Sequence, residues 1–341
     1  MEKDSKKKKS AGRVILKIVI AVIAFFLVSS VAFTLIFFAA MYGRTDGGDR
    51  MRLSYEDIDG ESYPRETFTF RSGGNDLTAY YYPPSDDSEH PDAMVVVVNG
   101  MKNNADTHLP EIMIFHDAGF SVLTFDATGV GSSCGSGTMG LPQVTKDLFA
   151  LLSFIREDGR FSRMTLFLYG HSAGGHAVLE ALDGGFGIRG AVSIAAFDSA
   201  VDTMIYHARK YAGIMADIES PFMRLYMRMV FGQDAFDEAH EAVLSSDVPV
   251  LIVEGSCDTT VPFGIGTIQY LLDESRPGVS TLVVSDSYRE EHMTIWKDGE
   301  SALYAKENAD SDDVDLFMAN RADESFMNMI LVFFSAGIPA D

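Results

Sequence analysis

Gly170-His171-Ser172-Ala173-Gly174 sets a serine hydroxyl between two glycines, each two positions away. The apolar run Thr165-Leu166-Phe167-Leu168-Tyr169 precedes it, and residues 173–182 behind it read as a helix. A serine on a sharp strand-to-helix turn is presented as a nucleophile; its backbone is strained, and glycines at these two positions remove side chains that would collide. The free N–H groups opening the helix point towards negative charge developing on a carbonyl oxygen. By itself a Gly/Ser pattern is an ordinary turn, and the strand and helix around it give it chemical meaning. A serine hydroxyl is a weak nucleophile at neutral pH, so the chemistry also needs a base and a group to orient that base.

The elements that must position these groups begin at residue 66. Residues 67–70 and 77–82 are β-rich and are separated by the turn 72–76, which predicts a hairpin. Six continuous apolar runs follow, at 93–98, 121–125, 164–169, 189–195, 248–253 and 280–284, and such runs suit strands buried on both faces. Helical patterns at 108–118, 143–157, 173–182 and 264–274 fall between most of them. The alternation predicts an α/β fold, a mostly parallel eight-stranded sheet with helices on both faces. Residues 199–244 break the tempo with helical stretches rich in Met204, Met215, Met223, Met227 and Met229. Methionines and aromatics at that spacing fit a packed core and the roof of a cleft equally well.

With the serine turn set in this order of elements, residues 66–341 resemble the α/β-hydrolase superfamily. Asp126-Ala127-Thr128-Gly129-Val130-Gly131-Ser132-Ser133 is similar to the family's D-x-R-G-x-G-x-S loop after the fourth strand, with Thr128 where arginine is usual. As a nucleotide-binding loop it fails, since Cys134 takes the last glycine position and no Gly-Lys-Ser/Thr follows. Gly255-Ser256-Cys257-Asp258-Thr259-Thr260-Val261-Pro262 is similar to the family's acid loop, G-x-x-D-x-x-V-P. His292 follows the last strand, where such enzymes place their histidine.

The resemblance implies a catalytic triad of Ser172, Asp258 and His292, in the family's chain order, each beyond the C-terminal end of a strand. His292 would take and return the serine proton, and Asp258 would hold the imidazole in the right tautomer. Asp198, after the sixth strand, is an alternative acid, whereas Asp286 reads as a turn residue. Among the other histidines, His171 flanks the nucleophile, His176 lies inside its helix and His108 comes too early. His90, His116, His207 and His240 fall in loops or helices away from strand ends. The oxyanion hole is expected from the N–H groups of Ala173 and Met101, with Lys102 as an alternative. Met101 belongs to Asn99-Gly100-Met101-Lys102-Asn103-Asn104, which resembles the family's H-G-x motif with Asn99 in place of histidine. The insert at 199–244 matches the place of a helical cap. The implied function is hydrolysis of a small-molecule or lipid-like carboxylic ester through an acyl-enzyme, with no cofactor and no metal. Serine peptidases, acyltransferases and catalytically inactive binding proteins share the scaffold.

Ahead of this domain, residues 18–41 carry no charge and show no polar stripe. That is longer than the roughly 20 apolar residues needed to cross a membrane, and longer than the roughly 7–15 of a cleaved signal's apolar region. Residues 1–17 hold seven basic residues against Glu2 and Asp4, a charge of +5. By the positive-inside rule 1–17 is a cytoplasmic tail and 18–42 a single-pass anchor in the cell membrane. Residues 43–65, rich in Gly, Asp and Ser, read as a linker to an extracytoplasmic domain at 66–341. With −22 overall, the chain beyond the tail carries −27, which repels phosphate backbones and argues against nucleic-acid partners. The acidic stretch 310–315 lacks the glycine and terminal glutamate of a calcium loop. Cys134 and Cys257 follow different strands and are expected as free thiols.

Overall fold

Successive residues of the run Ala93–Val98 turn to opposite faces of a sheet, yet all six are buried. Met94, Val96 and Val98 enter one apolar cluster, and Ala93, Val95 and Val97 a second on the other face. The unbroken hydrophobicity of this strand therefore reflects a sheet covered on both sides. The computed structural model describes residues 2–339 apart from 86, 273–275 and 287, with side chains from Gly12 onwards.

The strands are β1 (Glu66–Ser72), β2 (Asn75–Tyr82), β3 (Ala93–Val98), β4 (Ser121–Phe125), β5 (Thr165–His171), β6 (Ile188–Ile194), β7 (Val250–Gly255) and β8 (Val279–Val284). They form one eight-stranded sheet in the order β1-β2-β4-β3-β5-β6-β7-β8. The hairpin β1–β2 and the β2–β4 pair are antiparallel, and every other pair is parallel. This is the predicted fold, with all eight strands within a few residues of their expected positions.

A long helix α1 (Glu2–Tyr42) precedes the sheet. Helix α2 (Leu109–Asp117) lies on one face, and α3 (Pro142–Glu157) and α4 (Ala173–Glu180) lie on the other. Three helices then fill the predicted insert: α5 (Ala200–Ala212), α6 (Met215–Phe231) and α7 (Ala239–Ser245). Its methionines divide: Met204, Met223 and Met227 are buried, while Met215 and Met229 are exposed. Helix α8 (Thr267–Leu271) is shorter than the predicted 264–274, whose residues 273 and 274 lie outside the described ones. The chain closes with α9 (Gly299–Glu307), α10 (Leu316–Asn320) and α11 (Glu324–Ser335), the last of which covers the α2 face through Phe326, Ile330 and Phe334.

Within α1, the stretch Gly12–Tyr42 contains an 18-residue window with a mean hydropathy of 2.8 and is long and apolar enough to cross a membrane. Ser30, Thr34, Phe37, Phe38 and Tyr42 are buried, a three-to-four-residue spacing that docks one stripe of the helix on the domain. The segment 43–65 is fastened along its length. Arg44 donates to the carbonyls of Gly131, Ser133 and Gly135, and Arg52 donates to Asn103 and Thr107. Arg65 pairs with Asp106 at 2.9 Å.

Candidate active site

Ser172 caps the N-terminus of α4 with φ +56° and ψ −118°. A side chain other than glycine rarely adopts this conformation, so the turn is strained and depends on its surroundings. A Cβ on Gly174 would lie 2.0 Å from the carbonyl oxygen of Val98, and one on Gly170 would lie 2.3 Å from that of Gly174. The two glycines are thus required by close backbone packing, as the sequence predicts. Ser172 is pinned from behind, its N–H donating to the carbonyl of Ile194 at 2.8 Å.

The acid loop follows β7. Oδ1 of Asp258 accepts the backbone N–H groups of Thr260 and Val261 at 2.7 and 2.8 Å, which leaves Oδ2 for His292 Nδ1 at 2.6 Å. Asp258 is buried at 4% exposure, so its charge is held by these contacts with little help from water. A carboxylate only accepts, so Nδ1 carries the proton and Nε2 of the neutral ring keeps its lone pair. The loops are stitched together, with Cys257 N–H donating to the Glu290 carbonyl at 3.1 Å.

His171 supports the same loop. Its Nε2–H donates to the backbone carbonyl of His292 at 3.0 Å, and its ring packs 4.7 Å from that of Trp296. Burial, then the neighbouring His292 and His108, pushes its pKa well below the usual histidine value, so the ring stays neutral. From the cap, His207 on α5 donates through Nε2 to the carbonyl of Thr260 at 3.0 Å, and burial lowers its pKa as well.

Ser172, His292, His171 and His207 line one cavity of about 170 Å³. Met101, Leu141, Phe197, Val261 and Met293 give it an apolar wall. Ala173 is the first residue of α4, and its N–H has no intrahelical acceptor. The turn carrying Met101 is closed by Asn103 N–H to the Gly100 carbonyl at 3.2 Å, and a Cβ on Gly100 would sit 3.2 Å from Cβ of Ser172. Asp126, at the end of β4, locks this region by accepting Ala105 N–H and Ser132 N–H, both at 2.8 Å. Thr128, in the position of the usual arginine, gives its N–H and hydroxyl to buried Asp147 at 2.7 and 2.9 Å.

The three residues expected from the motifs are therefore gathered at one end of the sheet, and the alternative acid is engaged elsewhere. Asp198 accepts both Nδ1 and the backbone N–H of His240, at 2.8 and 2.9 Å. Among the described residues, Asp198, Glu238 and His240 are the one group with metal-ligand proximity, and the Asp198–His240 hydrogen bond already occupies two of its members. Cys134 and Cys257 are free and exposed.

A family model described as serine aminopeptidase, S33, matches residues 89–230. An esterase from Pyrococcus furiosus shares the fold over 84% of this chain and 97% of its own, with a TM-score of 0.57 and 15% identity. The chain has the α/β-hydrolase fold. The fold is also similar to that of an acylaminoacyl peptidase from Pyrococcus horikoshii. That likeness covers 80% of this chain and 41% of the peptidase, with a TM-score of 0.50 and 12% identity. The uncharacterised protein YfhR of Escherichia coli is 23% identical over 246 residues, 71% of this chain and 78% of its own.

Sequence reading missed His207, and it left His171 as a mere neighbour of the serine. A signal for His207 does exist: it lies between buried Met204 and Ala208, at the edge of the apolar stripe of α5. Leu141, Phe197 and Met293 stand in connections whose path no local pattern predicts.

Proposed function

We propose that this chain is a membrane-anchored serine esterase with Ser172 as nucleophile, His292 as general base and acid, and Asp258 as the partner that orients it. One observation carries the reading: Asp258 engages Nδ1 of His292, leaving Nε2 basic in the cavity that Ser172 also lines. In the resulting cycle His292 takes the serine proton as Oγ bonds the ester carbonyl carbon. The carbonyl oxygen, now anionic, is met by the N–H groups of Ala173 and Met101. Collapse breaks the bond to the alcohol, which departs with the proton from His292. Water repeats the sequence on the acyl-enzyme, releases the carboxylic acid and restores Ser172, so water is the only co-reactant.

The apolar wall favours an ester. No carboxylate stands among the described residues lining the cavity, so a substrate's free α-ammonium would be desolvated without a counter-charge. A peptidase is the second reading, prompted by the family description, with N-blocked peptides suggested by the likeness to an acylaminoacyl peptidase. Rates on p-nitrophenyl esters of increasing acyl length, beside aminoacyl and acylaminoacyl p-nitroanilides, separate the two. Ester turnover well above that of the anilides supports the proposal, and faster anilide turnover overturns the substrate class.

The proposal also sets α1 across the cell membrane once, with residues 1–17 cytoplasmic and the hydrolase domain outside. Length, hydropathy and near-complete exposure of its apolar stretch support a span, and the basic tail supports the orientation. Protease added to intact cells should then cleave the domain; a protected domain reverses the orientation.

A further inference from the structure

Helix α6 leaves one apolar side bare. Ala216, Met223, Met227 and Phe231 are buried on the body. Next round the helix, Glu219, Phe222 and Tyr226 meet α1. Ser30 Oγ donates to Glu219 Oε1 at 3.1 Å, and the rings of Phe222 and Tyr226 lie 6.1 and 3.9 Å from those of Phe26 and Phe38. Beyond this contact Ile214, Ile218, Leu225 and Met229 recur at helical spacing and are 46–78% exposed. Tyr211, 73% exposed, extends the stripe at the corner between α5 and α6.

Single exposed apolar residues are ordinary, but a contiguous stripe beside a helix able to span a membrane marks a surface meant for lipid. On α1 the buried contacts begin at Ser30, and Phe26 before it already meets Phe222. The uncharged residues from Ile18 to Phe25 precede these contacts and, at 1.5 Å per residue, extend about 12 Å, short of the roughly 30 Å of a bilayer's hydrocarbon core. A span therefore continues alongside the domain, and α6, touched by Phe26 and Ser30 through Phe222 and Glu219, lies beside it. Val31, Leu35 and Ile36, 50–69% exposed on the far side of α1, continue the same apolar surface. Arg224 and Arg228 flank the stripe on its other edge, where they engage Asp202 and Gln233.

We propose that the stripe Ile214, Ile218, Leu225 and Met229 faces the lipid of the bilayer that α1 crosses, so that the cap rests on lipid. The cavity wall is joined to the same helix. Gly140, which precedes the cavity residue Leu141, abuts Phe231 and Met227 of α6, and Tyr226 donates to the Met139 carbonyl. The proposal depends on α1 being an anchor and is independent of the chemistry at Ser172.

The full chain, reconstituted in phosphatidylcholine/phosphatidylglycerol vesicles containing a phosphatidylcholine with an acyl-chain diazirine, is photolysed and its adducts are mapped by mass spectrometry. Adducts are expected on α1 and on residues 214–229. Adducts confined to α1 overturn the proposal, and a chain without adducts even on α1 overturns it together with the anchor. A variant combining Ile218→Asp, Leu225→Asp and Met229→Asp should lose the α6 adducts and keep its rate on soluble p-nitrophenyl acetate. Its turnover of a long-chain ester carried in the vesicles should fall about tenfold, and an unchanged turnover counts against the lipid contact. Wild-type protein inactive on both esters removes the esterase reading, and the adduct map still decides this one.

Discussion

Nδ1 of His292 stands 2.6 Å from Oδ2 of Asp258, while the other oxygen of that carboxylate is held by two backbone amides. The pair is fixed before any substrate arrives, since the acid cannot rotate without abandoning Thr260 and Val261. Asp258→Asn should leave the fold intact and lower kcat by about 10⁴-fold, because an amide at this position favours the wrong imidazole tautomer. Asp198→Asn should leave the rate per folded molecule within about threefold, since Asp198 serves His240. The reverse pattern in steady-state kinetics would make Asp198 the acid.

His171 holds the carbonyl of His292, a contact that in the proposed mechanism positions the base. His171→Leu should lower kcat about 10²-fold through displacement of the imidazole, with KM little changed. His171→Gln, which retains a donor, should recover part of the loss. Equal losses in both variants, or a loss confined to KM, would deny His171 this role.

Most of the sheet and the three residues at its rim were legible because each rests on short-range chemistry. Ala93–Val98 announces a strand buried on both faces by its unbroken hydrophobicity, and Gly174 announces the elbow by the carbonyl of Val98 that leaves no room for a Cβ. The choice between Asp258 and Asp198 was not local. Both follow strands, and only the folded position of His240 engages Asp198. His207 was hidden for a related reason: it reaches Thr260 only because α5 folds back over the acid loop, a contact spanning 53 residues. Nor did composition reveal that 43–65 runs along the domain, since Arg44 and Arg52 are held by distant carbonyls and side chains.

The elbow glycine gives a stability prediction. In Gly174→Ala the new methyl meets the backbone of central strand β3, which has no freedom to retreat. A cost of about 3 kcal/mol or more follows from overpacking, lowering Tm by roughly 6 °C or more. Calorimetry that finds Tm unchanged would contradict the packing described for this turn.

Glu180 supplies a pH dependence. Burial, reinforced by Asp237 and Asp183, raises its pKa from 4.5 to about 8. Between those values the folded chain retains a proton that the unfolded chain has lost, so this group's contribution to stability falls as pH rises through the interval. Glu180→Gln should therefore gain stability on the order of 2–4 kcal/mol above about pH 8 and almost none near pH 4.5. Urea melts at the two pH values check the sign; a variant equally stabilised at both would show that Glu180 ionises normally.

The central claim is that Ser172 is an activated nucleophile, and a fluorophosphonate probe reads this directly. Full-length protein incubated with the probe and digested for mass spectrometry should carry one adduct, on Ser172, and Ser172→Ala should carry none. An unlabelled wild type, or a label that persists in Ser172→Ala, would contradict the account.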